Sequence, residues 1–188
     1  MIKSSIPSLH TTRLILRQWQ ADDYPLFAEL NASEEIMRYF PSTLSRDDSD
    51  AFAASLAAHI AEFGWGLWAV ELKSTGRFMG FTGLHKVPNT LPYSPAVEIG
   101  WRFSDEYWHR GYASEAASRV LAYAFEELQL NEVVSFTSTV NKPSIKVMQR
   151  IGMSDSGLNF QHPKVPASSS LCEHVLYKIK RADFERNK

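Results

Sequence analysis

The chain has 188 residues, 44% apolar and 22% charged, with a formal net charge of −1 and a single cysteine, Cys172. This size and balance predict one globular domain spanning residues 1–188 and argue against a generally basic surface, so neither nucleic acid nor membrane is an expected partner. One cysteine excludes an internal disulfide and a paired-cysteine zinc site, and no metal is expected.

Met1–His10 carries no long apolar run, so the reading is a cytoplasmic chain without a signal peptide or membrane helix. Arg13–Trp19 alternates after its start and reads as a strand. Asp22 and Asp23 suit a helix start with Pro25 in the first turn, and Leu26, Phe27 and Leu30 are expected on its buried face. A second helix fits Asp47 to Phe63. Ser45 and Asp48 resemble a capping box, Gly64 suits the stop, and Phe52, Leu56, His59, Ile60 and Phe63 share one face. Three strands are predicted next: Gly66–Lys73, Arg77–Val87 and Ala96–Phe103. The turn Lys73–Gly76 makes the first two a hairpin, and the Pro-rich stretch Pro88–Pro95 is a loop. The clearest helix follows, with Ala113, Ala116, Ala117, Val120, Leu121, Ala124, Phe125 and Leu128 on one side. Glu132–Val140 is β-rich. Lys142–Ile151 is a shorter helix, with Pro143 in its first turn and Gly152 at its end. A polar loop, Ser154–Ser170, and a strand, His174–Lys180, complete the chain. The pattern predicts an α/β (α+β) fold, a mixed sheet with helices on its faces.

The chemistry concentrates at Trp108-His109-Arg110-Gly111-Tyr112-Ala113, between a strand and the long helix. Gly111 can take backbone angles that other residues avoid. The first N–H groups of the helix lack internal partners, and the helix dipole favours negative charge there. Arg110 adds a cation. The segment reads either as a diphosphate cradle or as a tight turn before a helix. Neither Gly-x-x-x-x-Gly-Lys-Ser/Thr nor Gly-x-Gly-x-x-Gly occurs, which weighs against other nucleotide-binding classes.

Two motifs place this segment in a wider pattern. The first is Glu98-Ile99-Gly100-Trp101-Arg102-Phe103 followed by Tyr107–Ala116; the second is Asn141-Lys142-Pro143-Ser144 through Met153. In this order and spacing the chain resembles the GNAT acyltransferases, and within them the branch of ribosomal-protein N-terminal acetyltransferases. The resemblance runs from Thr12–Arg17 to His174–Tyr177. It implies a mixed, mostly antiparallel sheet of roughly six or seven strands, with the fourth and fifth splayed apart and about four helices around it. It also implies acetyl-CoA as cosubstrate, and a small-molecule amine or a protein N-terminus as acceptor for a monomer or homodimer.

The resemblance assigns the diphosphate to Trp108, His109, Arg110, Gly111, Tyr112 and Ala113, although Trp108 stands where the family carries Gln or Arg. The pantetheine arm would pair with Ile99, Gly100 and Trp101 of the splayed strand, as an added strand would. Asn141 either bonds that arm, starts a helix, or does both. Direct attack by a neutral amine needs a group to take its proton. Glu98 is the candidate base; otherwise it is a surface carboxylate or a partner for Arg102. Ser144 either bonds the departing sulfur or is a first-turn polar residue. On the acceptor side stand Phe160 and His162, the latter a substrate contact, an alternative base or a solvated loop residue. Tyr39, Phe40, Trp65 and Trp68 form either an aromatic groove wall or part of the core. The competing class is an acyl-CoA-binding module without catalysis.

Overall fold

The computed structural model describes residues 6–186; the first five residues, part of the Met1–His10 stretch, and the last two lie outside it. One sheet organises the chain. Its strands are β1 (Leu9–His10), β2 (Leu14–Arg17), β3 (Leu67–Leu72), β4 (Arg77–Lys86), β5 (Val97–Phe103), β6 (Glu132–Ser138), β7 (Ser154–Asp155), β8 (Phe160–Gln161) and β9 (Glu173–Lys180). Their spatial order is β1-β2-β3-β4-β5-β6-β9-β7, with β8 also on β9. Every pairing is antiparallel except β5 with β6. The sheet exceeds the expected strand number because β1, β7 and β8 are two-residue pairings. Segments that short carry no alternation to read.

The helices are α1 (Asp23–Ala32), α2 (Glu34–Met37), α3 (Arg46–Phe63), α4 (Tyr112–Glu126), α5 (Lys142–Arg150) and α6 (Arg181–Arg186). Four match the expected segments; α2 and α6 are too short to show a periodic face. Ser45 caps α3 by accepting the Asp48 N–H at 3.1 Å, and Gly64 ends it in the left-handed region.

Two expected faces are corrected. Leu26 is 37% exposed, whereas Asp23, Phe27, Leu30 and Asn31 are buried. The rotation of α1 is set by charge as well as by apolar packing. Arg17 on β2 donates Nη1 to Asp23 Oδ2 at 2.7 Å and Nη2 to Asp23 Oδ1 at 2.9 Å, and its Nε reaches Glu71 at 2.6 Å. These bonds raise the Arg17 pKa further against the opposing effect of burial. On α3, Phe63 is 47% exposed and stacks at 4.6 Å against His59. The inward face is carried by Ser49, Ala53, Leu56 and Ile60.

The sheet is covered on both sides. Trp19, Phe27, Phe52, Phe78 and Phe81 pack ring against ring between the sheet and helices α1 and α3. On the other face, α4 presents Ala116, Ala117, Val120, Leu121 and Ala124; the three alanines let helix and sheet approach closely while Val120 and Leu121 fill the layer. Trp68 lies in this layer, fully buried, edge-on to Tyr123 at 5.4 Å. It is a core residue and does not line an open groove, because its strand position points it beneath α4. Trp68→Ala is expected to lower unfolding stability by about 3–5 kcal/mol, the usual loss for a buried indole, measurable by denaturant titration. Among the described residues, no helix is long and apolar enough to cross a membrane.

Candidate functional site

The centre of the site is a gap in the sheet. β5 pairs with β4 along its whole length, and β6 pairs with β9 along its whole length. Between β5 and β6 there is a single register point, Glu98 with Val134. The two strands run parallel, so beyond that point they diverge toward their C-terminal ends. Ile99, Gly100 and Trp101 therefore present a backbone edge with no strand beside it, facing the edge of Ser135–Ser138, whose Phe136 N–H reaches the Glu98 carboxyl. Buried backbone groups normally find partners, so this edge is built to receive an extended chain.

At the open end of the gap lies the turn from β5 into α4. His109 and Gly111 both have positive φ, 61° and 79°, which curls successive N–H groups around a concavity. Gly111 is the N-cap of α4 and no side chain caps the helix. The first intrahelical bond runs from Glu115 N–H to the Gly111 carbonyl at 3.0 Å, so the N–H groups of Tyr112, Ala113 and Ser114 lie ahead of it. Trp108 does not aim its indole into the concavity: Nε1 donates back to the Phe103 carbonyl at 2.9 Å, and the ring packs on the core. Its contribution to the loop is therefore structural bracing.

A cation that the sequence did not single out stands here. Arg13 donates Nε to Glu115 Oε2 at 2.6 Å and Nη1 to the Arg110 carbonyl at 3.0 Å, with its guanidinium 4.2 Å over the Tyr112 ring. Its Nη2 would lie 3.6 Å from a Cβ at Gly111. Burial alone would push the Glu115 carboxyl up, but the Thr11 hydroxyl and Arg13 hold it below the usual carboxylate range. Arg13 thereby offsets an acid at the helix entrance and leaves the loop net positive together with Arg110. No local motif marks Arg13; only the fold brings β2 beside α4.

Across the gap, Asn141 caps α5. Its Oδ1 accepts the Ser144 N–H at 3.3 Å and its Nδ2 donates to Thr137 Oγ1 at 2.9 Å. The helix-start reading of Asn141 is thus realised, with one amide hydrogen still free to bond a ligand. Ser144 is half-buried in the first turn of α5, on the side of the gap opposite Gly111. Ser138, at the end of β6, has a buried hydroxyl without a partner.

Glu98 stands at the apex, where the strands begin to part. It is 6% exposed, so it is not a surface carboxylate, and Arg102 does not pair with it. Its partner is His85, directly opposite on β4, with Nε2 3.0 Å from Glu98 Oε2. Burial pushes the Glu98 carboxyl up; His85 and the nearby N–H of Phe136 pull it back only in part. Burial lowers the His85 pKa, but the hydrogen bond and charge of Glu98 outweigh it, and the net direction is up. The register could have revealed this pair. Val87 N–H bonds the Ala96 carbonyl at 2.9 Å across the Pro88–Pro95 loop, and counting outward puts His85 against Glu98.

The acceptor-side residues gather next to this apex. Tyr93 packs at 5.6 Å from Phe136 and 5.1 Å from Phe160, and its hydroxyl is buried without a partner. Burial, with the Glu98 charge, raises its pKa. His162 stacks at 4.8 Å on His174; burial, then the neighbouring His174 and Lys164, lower its pKa. Phe160 and His162 are therefore packed into a ring cluster rather than loose in a solvated loop. On the other flank, Arg38 lies 4.9 Å over Tyr39, and Arg102 lies 4.2 Å over Phe40, itself 38% exposed. Trp65 is half-buried at 5.5 Å from His59 and packs on the core. Burial alone pushes Arg102 down to about 10. Among the described residues, no group of three His, Cys, Asp or Glu could hold a metal.

A splayed parallel strand pair, an uncapped glycine turn at its mouth and a buried carboxyl at its apex define an acyltransferase of the GNAT class. Residues 13–154 match the family described as acetyltransferase (GNAT) domain, and the chain belongs to that family. It is 31% identical over 189 residues to the FsC-acetyl coenzyme A-N(2)-transacetylase of Aspergillus fumigatus, covering 96% of this chain and 79% of that one. It is 29% identical to the uncharacterized N-acetyltransferase YnaD of Bacillus subtilis over 90% of this chain and 94% of that protein. A solved GNAT acetyltransferase from Bacillus anthracis superposes with a TM-score of 0.79 at 25% identity, covering 94% and 99% of the two chains. The family's cosubstrate is acetyl-CoA, and the site fits it. The turn at Gly111 leaves the first amides of α4 without an intrahelical partner, and a Cβ at Gly100 would meet nothing within 4 Å.

Proposed function

We propose that this enzyme moves an acetyl group from acetyl-CoA to a primary amine, of a small molecule or of a protein N-terminus, by direct attack. The observation that carries the reading is the single register point between β5 and β6 at Glu98, which sets a backbone cleft and a buried carboxyl side by side. His109, Arg110, Gly111, Tyr112 and Ala113 hold the diphosphate through main-chain N–H groups, with Arg13 and Arg110 supplying charge. Ile99, Gly100 and Trp101 align the pantetheine arm from one side and Asn141 from the other. When bound, acetyl-CoA supplies an acetyl thioester; the new C–N bond replaces its C–S bond.

Glu98 takes the proton that the ammonium must lose, directly or through water. Its raised pKa makes it a stronger base than an exposed carboxylate. His85 holds the carboxylate in place from the neighbouring strand. A backbone N–H of β5 stabilises the developing oxyanion, and Ser144 hydrogen-bonds the departing sulfur. Phe160 and His162, with Tyr39 and Phe40 on the opposite flank, bound the acceptor.

The test is to incubate the protein with acetyl-CoA and a panel of amines while following free thiol and product mass. Thiol release that requires an amine, with the acetylated amine as product, is the expected result. Saturable acetyl-CoA binding with no turnover across the panel would instead make the chain a non-catalytic acyl-CoA sensor.

A further inference from the structure

We propose that Arg102 anchors a carboxylate on the acceptor, so that the molecule acetylated here carries both an amine and a carboxylate. The proposal rests on the acetyl-transfer reading above and narrows its substrate class. Strand alternation on β5 places Glu98, Gly100 and Arg102 on one face, opposite His85, Gly83 and Phe81 of β4. At the midpoint, Gly100 has no side chain, and a Cβ there would meet nothing within 4 Å. The face is thus a trough with an acid at one end, open space in the middle and a guanidinium at the other. Each end lies about 6.6 Å from Gly100, two residues of strand rise.

Arg102 is the anomaly that calls for a ligand. Arg17 holds Asp23 and Glu71, and Arg13 holds Glu115; Arg102 makes no ion pair among the described residues. Its one hydrogen bond is from Nη1 to Asn31 Oδ1 at 2.5 Å, and its Nε is shut away without a partner. Arg102 is half-buried with its Nε closed off from water, and a partly desolvated cation without a counter-ion is costly to keep. Asn31, itself bonded to Ser49 at 2.9 Å, fixes one edge of the guanidinium. The remaining Nε–Nη2 edge is the fork that matches a carboxylate with two parallel bonds. The exposed Phe40 ring lies over the flat face of the guanidinium at 4.2 Å and Phe81 lies 5.4 Å from it, so aromatic contact takes the faces and leaves the in-plane N–H groups for a carboxylate. One unpaired positive charge calls for one negative charge, and a diamine would bring none.

The test compares kcat/KM for 4-aminobutanoate and 6-aminohexanoate with that for their uncharged primary amides and for diamines of equal length. Wild-type protein is expected to favour the carboxylates by about tenfold or more, the scale of a charge-assisted pair, with the difference carried by KM. Arg102→Gln should bring that ratio close to one. Arg102→Lys, which keeps the charge and the reach to Asn31 but not the fork, should give an intermediate ratio; melting curves on both variants confirm that each is folded. Equal use of carboxylates and amides by wild type, or an undiminished ratio in folded Arg102→Gln, overturns the anchor while leaving acetyl transfer standing. Absence of acetylation for every amine, charged or not, overturns both.

Discussion

Glu98→Gln is expected to lower kcat by about two to four orders of magnitude, the span of a well-placed general base, while calorimetry shows nearly unchanged acetyl-CoA affinity. The substitution keeps the shape of the side chain and its place opposite His85, so the sheet register is not at issue. It removes the group that takes the proton. The pH profile supplies an independent readout. Burial raises the Glu98 carboxyl from its ordinary value, so the basic form is lost at a higher pH than for an exposed carboxylate. In wild-type protein kcat should therefore rise with pH through a midpoint above the usual carboxylate range, and Glu98→Gln should lose that limb. Wild-type kcat in the variant, or an unaltered acid limb, removes Glu98 from the reaction and leaves the proton to another group.

Gly111→Val should weaken acetyl-CoA binding by roughly 5- to 150-fold, because a β-branched residue at φ of 79° is strained by about 1–3 kcal/mol. The loop relieves that strain by turning its amides out of the concavity. Crowding is not the cause: a Cβ there meets only Arg13 Nη2, at 3.6 Å, an ordinary contact. Gly111→Asn, which tolerates the left-handed region, should lose far less affinity than Gly111→Val. Isothermal titration with acetyl-CoA measures both. If Val and Asn bind as tightly as wild type, the diphosphate is held elsewhere and the loop is only a turn.

These two residues show how unevenly the site could be read beforehand. Gly111 announces itself, since a glycine and a small residue at the head of a periodic helix are a local signal. Glu98 was visible as a residue type at a motif position. Its burial, its partner His85 and its separation from Arg102 depend on the register across an eight-residue loop. Trp68 shows an ambiguity of the opposite kind: an aromatic residue reads the same in sequence whether it walls a groove or fills a core. Only its strand parity and the helix packed above it make it core. Arg13 lies 102 positions from Glu115, a contact no window along the chain can contain.

What the amino-acid order fixes on its own is local: the long α4 with its alanine face, the Ser45 cap, the turn at Gly111 and the alternation of the strand that begins near Arg13. These depend on neighbours within a turn or two, where propensity, capping and periodicity act. The tertiary structure alone decides that β5 and β6 touch once and then part, that Glu98 is buried against His85, and that Arg102 makes no ion pair among the described residues. Those facts arise from pairing and burial between distant segments, and they determine which polar groups lose water and which are left for a ligand.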